Sequence, residues 1–286
     1  MAASAHWRPR LIALDIDGTV CVEDPLDGTE SHNTISPAVR AAIAGVIAAE
    51  DTHLVLSTGR SMLGVLPFLA ELGLAKGTAL CSNGAVWLDA ANGEVRRHTM
   101  FELLEVCELL REALPDAVFT VEELGVGNRA TQLPAEVLHG NLRVVDFAEL
   151  VATPTTRMTV VWPDRTAEEL ARALAGVTLP GVHVHLGADE AWLFAGPAGV
   201  SKGSALEALR EELGVSPADT LAVGDGTNDL EMLRWAAHGV AMGQAPEVVR
   251  AVADEVCPPV TEDGLATVLH RWFAPVGEND RCHPNV

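Results

Sequence analysis

Cationic side chains are scarce in this chain of 286 residues: 19 lysines and arginines stand against 40 aspartates and glutamates, a net charge of −21. That balance disfavours nucleic acid and anionic membrane as partners. Any anionic ligand must then be held by local cations. Long apolar runs are also missing, and no stretch approaches the roughly 18 residues a membrane span needs. Residues 1–10 are too polar and too short for a signal peptide ahead of the apolar run at Leu11. Paired cysteines are the third absence. Cys21, Cys81, Cys107, Cys257 and Cys282 are odd in number and form no C-x-x-C. This argues for reduced thiols in a cytoplasm and against a disulfide framework or a zinc site. No internal repeat or low-complexity tract is present, and nothing implies an obligate protein partner.

What the chain has is 48% apolar residues in short runs, enough to bury one large core or two small ones. The run Leu11-Ile12-Ala13-Leu14 stops abruptly at Asp15-Ile16-Asp17-Gly18-Thr19. Such a run reads as a buried parallel strand whose C-terminal end opens on a site. Alternation along the strand puts Asp15 and Asp17 on one side, where two carboxylates repel unless a cation or a proton intervenes. Gly18 permits a turn with positive φ, and Thr19 is placed to hydrogen-bond within it. An EF-hand loop fails the spacing, since Thr19 and Leu26 occupy the fifth and twelfth positions counted from Asp15.

The pattern beyond predicts a polar flap over 20–35 with an Asp27-Gly28 turn, then a helix capped by Ser36 with Pro37 at its first position. A strand over 53–57, a helix over 61–72 ended by Gly73, and a third parallel strand over 78–82 follow. This alternation predicts a doubly wound parallel sheet that binds ligands at its carboxyl edge. From residue 85 the rhythm changes to hairpins with few helices, read as an inserted α+β domain with an antiparallel sheet over 85–196. Gly196-Pro197-Ala198-Gly199 reads as the linker back, and residues 1–84 and 197–286 form the core. After 201 the strand and helix alternation resumes, and the tail after Pro275 is expected to fray.

Asp15, Asp17, Thr58, Gly59, Lys202, Asp225 and Asp229 all fall at ends of predicted core elements. They supply a nucleophile, an acid/base, hydroxyl and backbone donors, a cation and hard oxygen ligands. That inventory suits phosphoryl transfer with magnesium. The ordered segments DIDGT (15–19), STGR (57–60), VSKG (200–203) and GDGTND (224–229) resemble the four motifs of the haloacid dehalogenase superfamily. The insert resembles the type II (C2) cap of its Cof-like phosphatase branch. SNGA (82–85) and AMGQAPEVVRAVADEV (241–256) are similar to stretches of that branch. The likeness spans 10–84 and 198–272 and is weak in the insert except in size.

The resemblance implies a Rossmann-like core and a set of roles. Asp15 would attack phosphorus and form an aspartyl-phosphate. Asp17 would protonate the leaving oxygen and then deprotonate water, which needs a proton on Asp17 that neighbouring negative groups favour. Thr58 and Gly59 would donate to the phosphoryl group, and Lys202 would bridge it to Asp15. Magnesium would rest on Asp15, the Asp17 main-chain carbonyl, Asp225, and Asp229 either directly or through water. Asn228 orients Lys202 or a phosphate oxygen, or caps a helix. Arg60 reaches substrate or pairs with an acid, and Asn83 lines the cleft. Gln244 stands where the branch commonly has asparagine, and no role is assigned to it.

In the insert, Glu122, Arg129, Arg157, His183 and His185 are polar candidates, the two histidines reading as sheet-face residues rather than a metal pair. Trp87, Trp162 and Trp192 read as core of the insert. The reaction expected is hydrolysis of a small phosphorylated molecule: a sugar phosphate, a phosphorylated cofactor or a nucleotide. A phosphomutase passing the same phosphoryl group to a sugar, and a phosphoryl-ligand-binding module without turnover, are the alternatives.

Overall fold

The computed structural model describes residues 7–22, 34–134, 138–187 and 190–274. Most of the expected flap with its Asp27-Gly28 turn, the tail after Pro275 and Cys282 lie outside the described residues. Strand β1 (Leu11–Leu14) is buried at every residue. Helix α1 (Pro37–Ile47) starts where the Ser36 hydroxyl accepts from Val39 N–H and proline sits in the first turn. Strand β2 (His53–Leu56) leads to α2 (Met62–Leu72), capped by Ser61 and stopped by Gly73 at φ 67°.

The next strand departs from expectation. β3 (Thr78–Cys81) meets the parallel sheet at one bridge, Ser57 to Leu80. It pairs instead, antiparallel, with β4 (Val86–Asp89), which pairs with β5 (Val95–His98). The reason is local: Ser82, Asn83 and Gly84 take φ of 50°, 54° and 95°, so the chain reverses at once instead of crossing over. Val86 and Leu88 share an apolar cluster with Ile12 and Leu14 of β1. Trp87 packs with Leu11 and Ala13 of the same strand, not in the insert as expected, and Arg97 stacks 4.3 Å above its ring.

The inserted chain then forms α3 (Leu104–Ala113), β6 (Val118–Glu123), β7 (Gly127–Ala130), β8 (Asn141–Val144), α4 (Phe147–Leu150), β9 (Met158–Thr166), α5 (Ala167–Ala173), β10 (Val182–Leu186) and β11 (Glu190–Pro197). Its six strands are ordered β10-β11-β9-β6-β7-β8. All pairings are antiparallel except β7 with β8. Leu110 of α3 and Leu170 of α5 pack on Phe119, Met158, Val160 and Leu193 in a separate core. Trp162 packs at its edge, and its indole N–H donates to Pro115 O at 2.6 Å. Gly196 and Pro197, expected as linker, end β11 by pairing with His183 and Val182.

The chain returns through α6 (Lys202–Leu213), β12 (Thr220–Gly224), α7 (Leu230–Trp235), β13 (His238–Ala241), α8 (Glu247–Arg250), β14 (Glu255–Val256) and α9 (Gly264–Leu269). The main sheet is ordered β14-β13-β12-β1-β2 and is parallel throughout. The protein is thus an α/β core with an inserted α+β unit. The connections leave β1 and β12 in opposite directions, so the crevice between their carboxyl ends is the switch point where such sheets bind ligands. No helix among the described residues is long and apolar enough to cross a membrane. Cys81, Cys107 and Cys257 are free among the described residues, and these three and Cys21 are buried.

Candidate active site

Asp15 continues β1 into the crevice, its N–H held by Val223 O of β12 at 3.0 Å. Lys202 opens α6 behind the Ser201 cap and is wholly buried. Its ammonium donates to Asp15 Oδ1 and Asp229 Oδ1, both at 2.6 Å. Burial alone would depress the lysine pKa, but the two carboxylates outweigh it and raise it instead. Asp15 is held well above the ordinary carboxylate range by burial first and then by Asp229, with Lys202 opposing. The other oxygen of Asp229 accepts from the N–H groups of Asp225 and Gly226, both at 2.9 Å. Gly224 is required beside it, since a Cβ there would lie 2.5 Å from the Asp229 carboxylate.

Asp225 ends the same turn. Burial first and the Asp229 charge second push its carboxyl up to about 7, against a hydrogen bond from Gln244. Carboxylate oxygens of Asp15, Asp225 and Asp229 lie within 4.8 Å of one another. Crowded acids with raised pKa values and hard oxygen donors fit a small divalent cation. Gly18, at φ 70°, makes the approach possible: a Cβ there would sit 2.0 Å from Asp225 Oδ2. Gln244, which carried no assigned role, ties this cluster together. Its amide N–H group donates to Gly18 O at 2.6 Å and to Asp225 Oδ2 at 3.0 Å, while its oxygen accepts from Val260 N–H. Among the described residues the buried Thr19 hydroxyl has no partner, so the side-chain turn bond expected of it does not form there; its backbone N–H bonds Ile16 O.

Thr58, fully buried at the end of β2, accepts from Arg60 N–H at 3.1 Å, which leaves its hydroxyl proton for another acceptor. Asp17 has Asp15 and Asp225 as the negative neighbours the sequence suggested, but a cation faces it as well. Arg60 grips both its oxygens, from Nε at 3.1 and 2.9 Å and from Nη2 at 2.5 Å. Of the two roles open to Arg60, the structure shows the acid pair. Asn228 donates to Asn83 Oδ1 at 2.9 Å, while the Lys202 ammonium donates to Asp15 and Asp229. These two amides flank Gly59, whose added Cβ would stand 3.4 Å from each.

The insert reaches this edge of the core at several points. Glu122, 4% exposed, accepts from Ser82 Oγ at 2.8 Å, Thr156 Oγ1 at 2.6 Å and Met62 N–H at 3.4 Å. Arg157 donates to Gly59 O at 3.2 Å. Arg129 instead braces the insert itself, donating to Glu149 O and Thr153 Oγ1 at 2.8 and 2.7 Å. His183 and His185 stack at 4.6 Å, and His183 Nε2 lies 3.9 Å from Glu231 of α7. Burial, then His183 and Lys202, hold His185 down to about 4. His139, which no periodicity singled out, stands beside Arg60 and the first turn of α2.

This arrangement, two carboxylates on one strand end, a buried lysine and a third acid across the switch point, is that of a known class. The haloacid dehalogenase-like hydrolase profile matches residues 12–123 and 179–269, and the chain belongs to that family. Relatives matched over nearly their whole length are named phosphatases. The pyridoxal phosphate phosphatase YbhA of Escherichia coli is 28% identical, over 91% of this chain and 97% of its own. The 5-amino-6-(5-phospho-D-ribitylamino)uracil phosphatase YcsE of Bacillus subtilis is 24% identical, over 92% and 95%. A solved haloacid dehalogenase-like hydrolase from Bacteroides thetaiotaomicron superposes with a TM-score of 0.73 at 26% identity, over 92% of this chain and 99% of that one. A chloroplast endoribonuclease of Arabidopsis thaliana is 43% identical over 76 residues, which span just 13% of its length. The chain is therefore an enzyme of this superfamily, on its phosphatase side.

Proposed function

We propose that the protein hydrolyses a small phosphomonoester, a sugar phosphate or a phosphorylated cofactor or nucleotide, through an aspartyl-phosphate on Asp15 and with magnesium. The observation that carries this reading is the buried contact of Lys202 with Asp15 and Asp229 at 2.6 Å, with Asp225 converging on the same point. Asp15 Oδ attacks phosphorus, the bond to the leaving oxygen breaks, and Asp17, which must exchange an Arg60 contact for a proton as the anionic substrate arrives, supplies that oxygen with the proton. Asp17 then takes a proton from water as it displaces Asp15 and releases phosphate. Arg60 fixes the Asp17 carboxyl in position. Thr58 Oγ and Gly59 N–H donate to the phosphoryl oxygens as negative charge builds, and Lys202 neutralises charge shared between Asp15 and the phosphoryl group.

Asp15, Asp225 and the Asp17 main-chain carbonyl would hold the cation. When bound, it offsets negative charge on the phosphoryl oxygens and the attacking carboxylate. Asp229, with each oxygen already accepting from the protein, serves to place Lys202 and the Asp225 turn, and would add negative charge beside the cation. Asn83 and Asn228 steady the loop that carries Gly59. The unit from about residue 101 to residue 195 acts as a cap that excludes water and selects the leaving group. The free, buried thiols of Cys81, Cys107 and Cys257 suit a reducing cytoplasm. The test is phosphate release from a panel of phosphometabolites, with magnesium or with chelator, for the wild type and Asp15→Asn. Magnesium-dependent release that the variant loses is expected; full activity in the variant would refute the mechanism.

A further inference from the structure

One side chain of the insert is a cation with no counter-ion among the described residues. The partly or fully buried arginines Arg40, Arg60, Arg129 and Arg210 each have a carboxylate within 3.5 Å. Arg157, also partly buried, contacts a carbonyl and a hydroxyl, Gly59 O at 3.2 Å and Thr159 Oγ1 at 3.5 Å. Among the described residues it has no acid partner, in a chain with 40 acids to 19 bases. A guanidinium withdrawn from water and left unpaired is costly unless an anion completes it. Its planar fork suits a phosphate or carboxylate.

The position matters as much as the charge. Gly59 belongs to the loop proposed to hold the transferring phosphoryl group, and Arg157 meets that loop from the cap side. Asp17, proposed to protonate the leaving oxygen, is joined to Arg60 on the same loop. His139 lies beside Arg60: a Cβ on Gly64 would stand 3.5 Å from both His139 Nδ1 and Arg60 Cβ. Burial first, then Arg60 and Arg157, hold the imidazole below its ordinary pKa, so it is a neutral donor at pH 7. A leaving group extending from Asp15 past Asp17 toward the cap therefore meets Arg157 and His139 together. We infer that Arg157 selects substrates whose leaving group carries a second oxyanion, with His139 as an uncharged hydrogen-bond donor beside it. This inference rests on the phosphatase reading above.

The experiment compares kcat/KM within two matched pairs, 3-phosphoglycerate against glycerol 3-phosphate and glucose 1,6-bisphosphate against glucose 6-phosphate. Each pair differs by one anionic group, a carboxylate in the first and a phosphate in the second. A charge-assisted contact predicts that the wild type favours the anionic member by about 10- to 100-fold in at least one pair. Arg157→Gln should bring that ratio close to one, mainly through KM, and Arg157→Lys should keep part of it. A wild type with no preference in either pair would overturn the inference while leaving the phosphatase reading intact. So would an Arg157→Gln variant that lowers both members in proportion, since that marks a structural brace. Absence of phosphate release from every substrate would instead bring down the phosphatase reading, and this inference with it.

Discussion

Replacing Lys202 by methionine isolates the electrostatics at the centre of the site. The ammonium lies 2.6 Å from each of two buried carboxylate oxygens and is itself 0% exposed. At an effective dielectric near 20 each contact is worth about 6 kcal/mol of attraction. Withdrawing three ions from water costs several kcal/mol apiece, so the intact triad is nearly balanced. Removing the cation alone upsets that balance and should cost about 3–5 kcal/mol. The loss should depend on pH, because Asp15 is held well above the ordinary carboxylate range by burial and by Asp229. An acid with a raised folded-state pKa binds its proton more readily folded than unfolded, so falling pH favours folding. Without Lys202 that tendency strengthens, and protonation at pH 5 relieves what pH 8 cannot. Urea unfolding in chelator at both pH values, for wild type and Lys202→Met, measures this. A loss below about 1 kcal/mol at pH 8, or equal losses at both, would refute the reasoning.

Two further outcomes follow from the acids around the switch point. Asp225, moved from an ordinary 3.8 to about 7, carries a cost of at most about 4 kcal/mol that is absent below pH 4 and complete above pH 7. Stability of the metal-free protein should therefore fall across that window, and magnesium should raise the Tm more at pH 8 than at pH 5; a pH-independent gain counts against it. Gly18→Ala places a Cβ 2.0 Å from Asp225 Oδ2 on a left-handed backbone, at about 1–2 kcal/mol for the conformation alone. Displacement of Asp225 should weaken apparent magnesium affinity by tenfold or more in a metal titration of activity, and unchanged affinity would show that Asp225 does not hold the metal.

Much of the core was legible because its signals are local. Four apolar residues closed by two aspartates define β1, and serine caps with a terminal glycine bound α2 and α6. The features missed depend on contacts distant in sequence. Nothing in Gly127-Asn128-Arg129-Ala130 alternates, yet these residues form β7, buried at every position, because β6 and β8 flank them. The reversal after β3 turns on left-handed φ at Ser82 as well as at Asn83; asparagine favours that region, but serine adopts it under tertiary constraint. Arg60 with Asp17 spans 43 positions, and Gln244 with Gly18 spans 226. The residue types at the site were readable, and the resemblance implied the approach of Lys202 to Asp15, while the particular acid held by Arg60 and the role of Gln244 were not.

The cap contacts also bear on how closure and chemistry are related. Glu122 joins Thr156 in the insert to Ser82 and to the first turn of α2, and Arg157 lies on Gly59 O. Ser82 opens the turn that carries Asn83, which in turn holds Asn228 beside Gly59. Both cap contacts thus land on the two core loops that flank the expected phosphoryl position. Glu122 is 4% exposed and accepts from both units, so separating the insert from the core would break its bonds from Ser82 and Met62 N–H and return the carboxyl to water. The catalytic loops would lose their supports in the same movement. On the proposed phosphatase reading, the same hydrogen bonds would set the seat of the insert and the geometry of the phosphoryl donors, and substrate selection would be coupled to the chemical step rather than precede it.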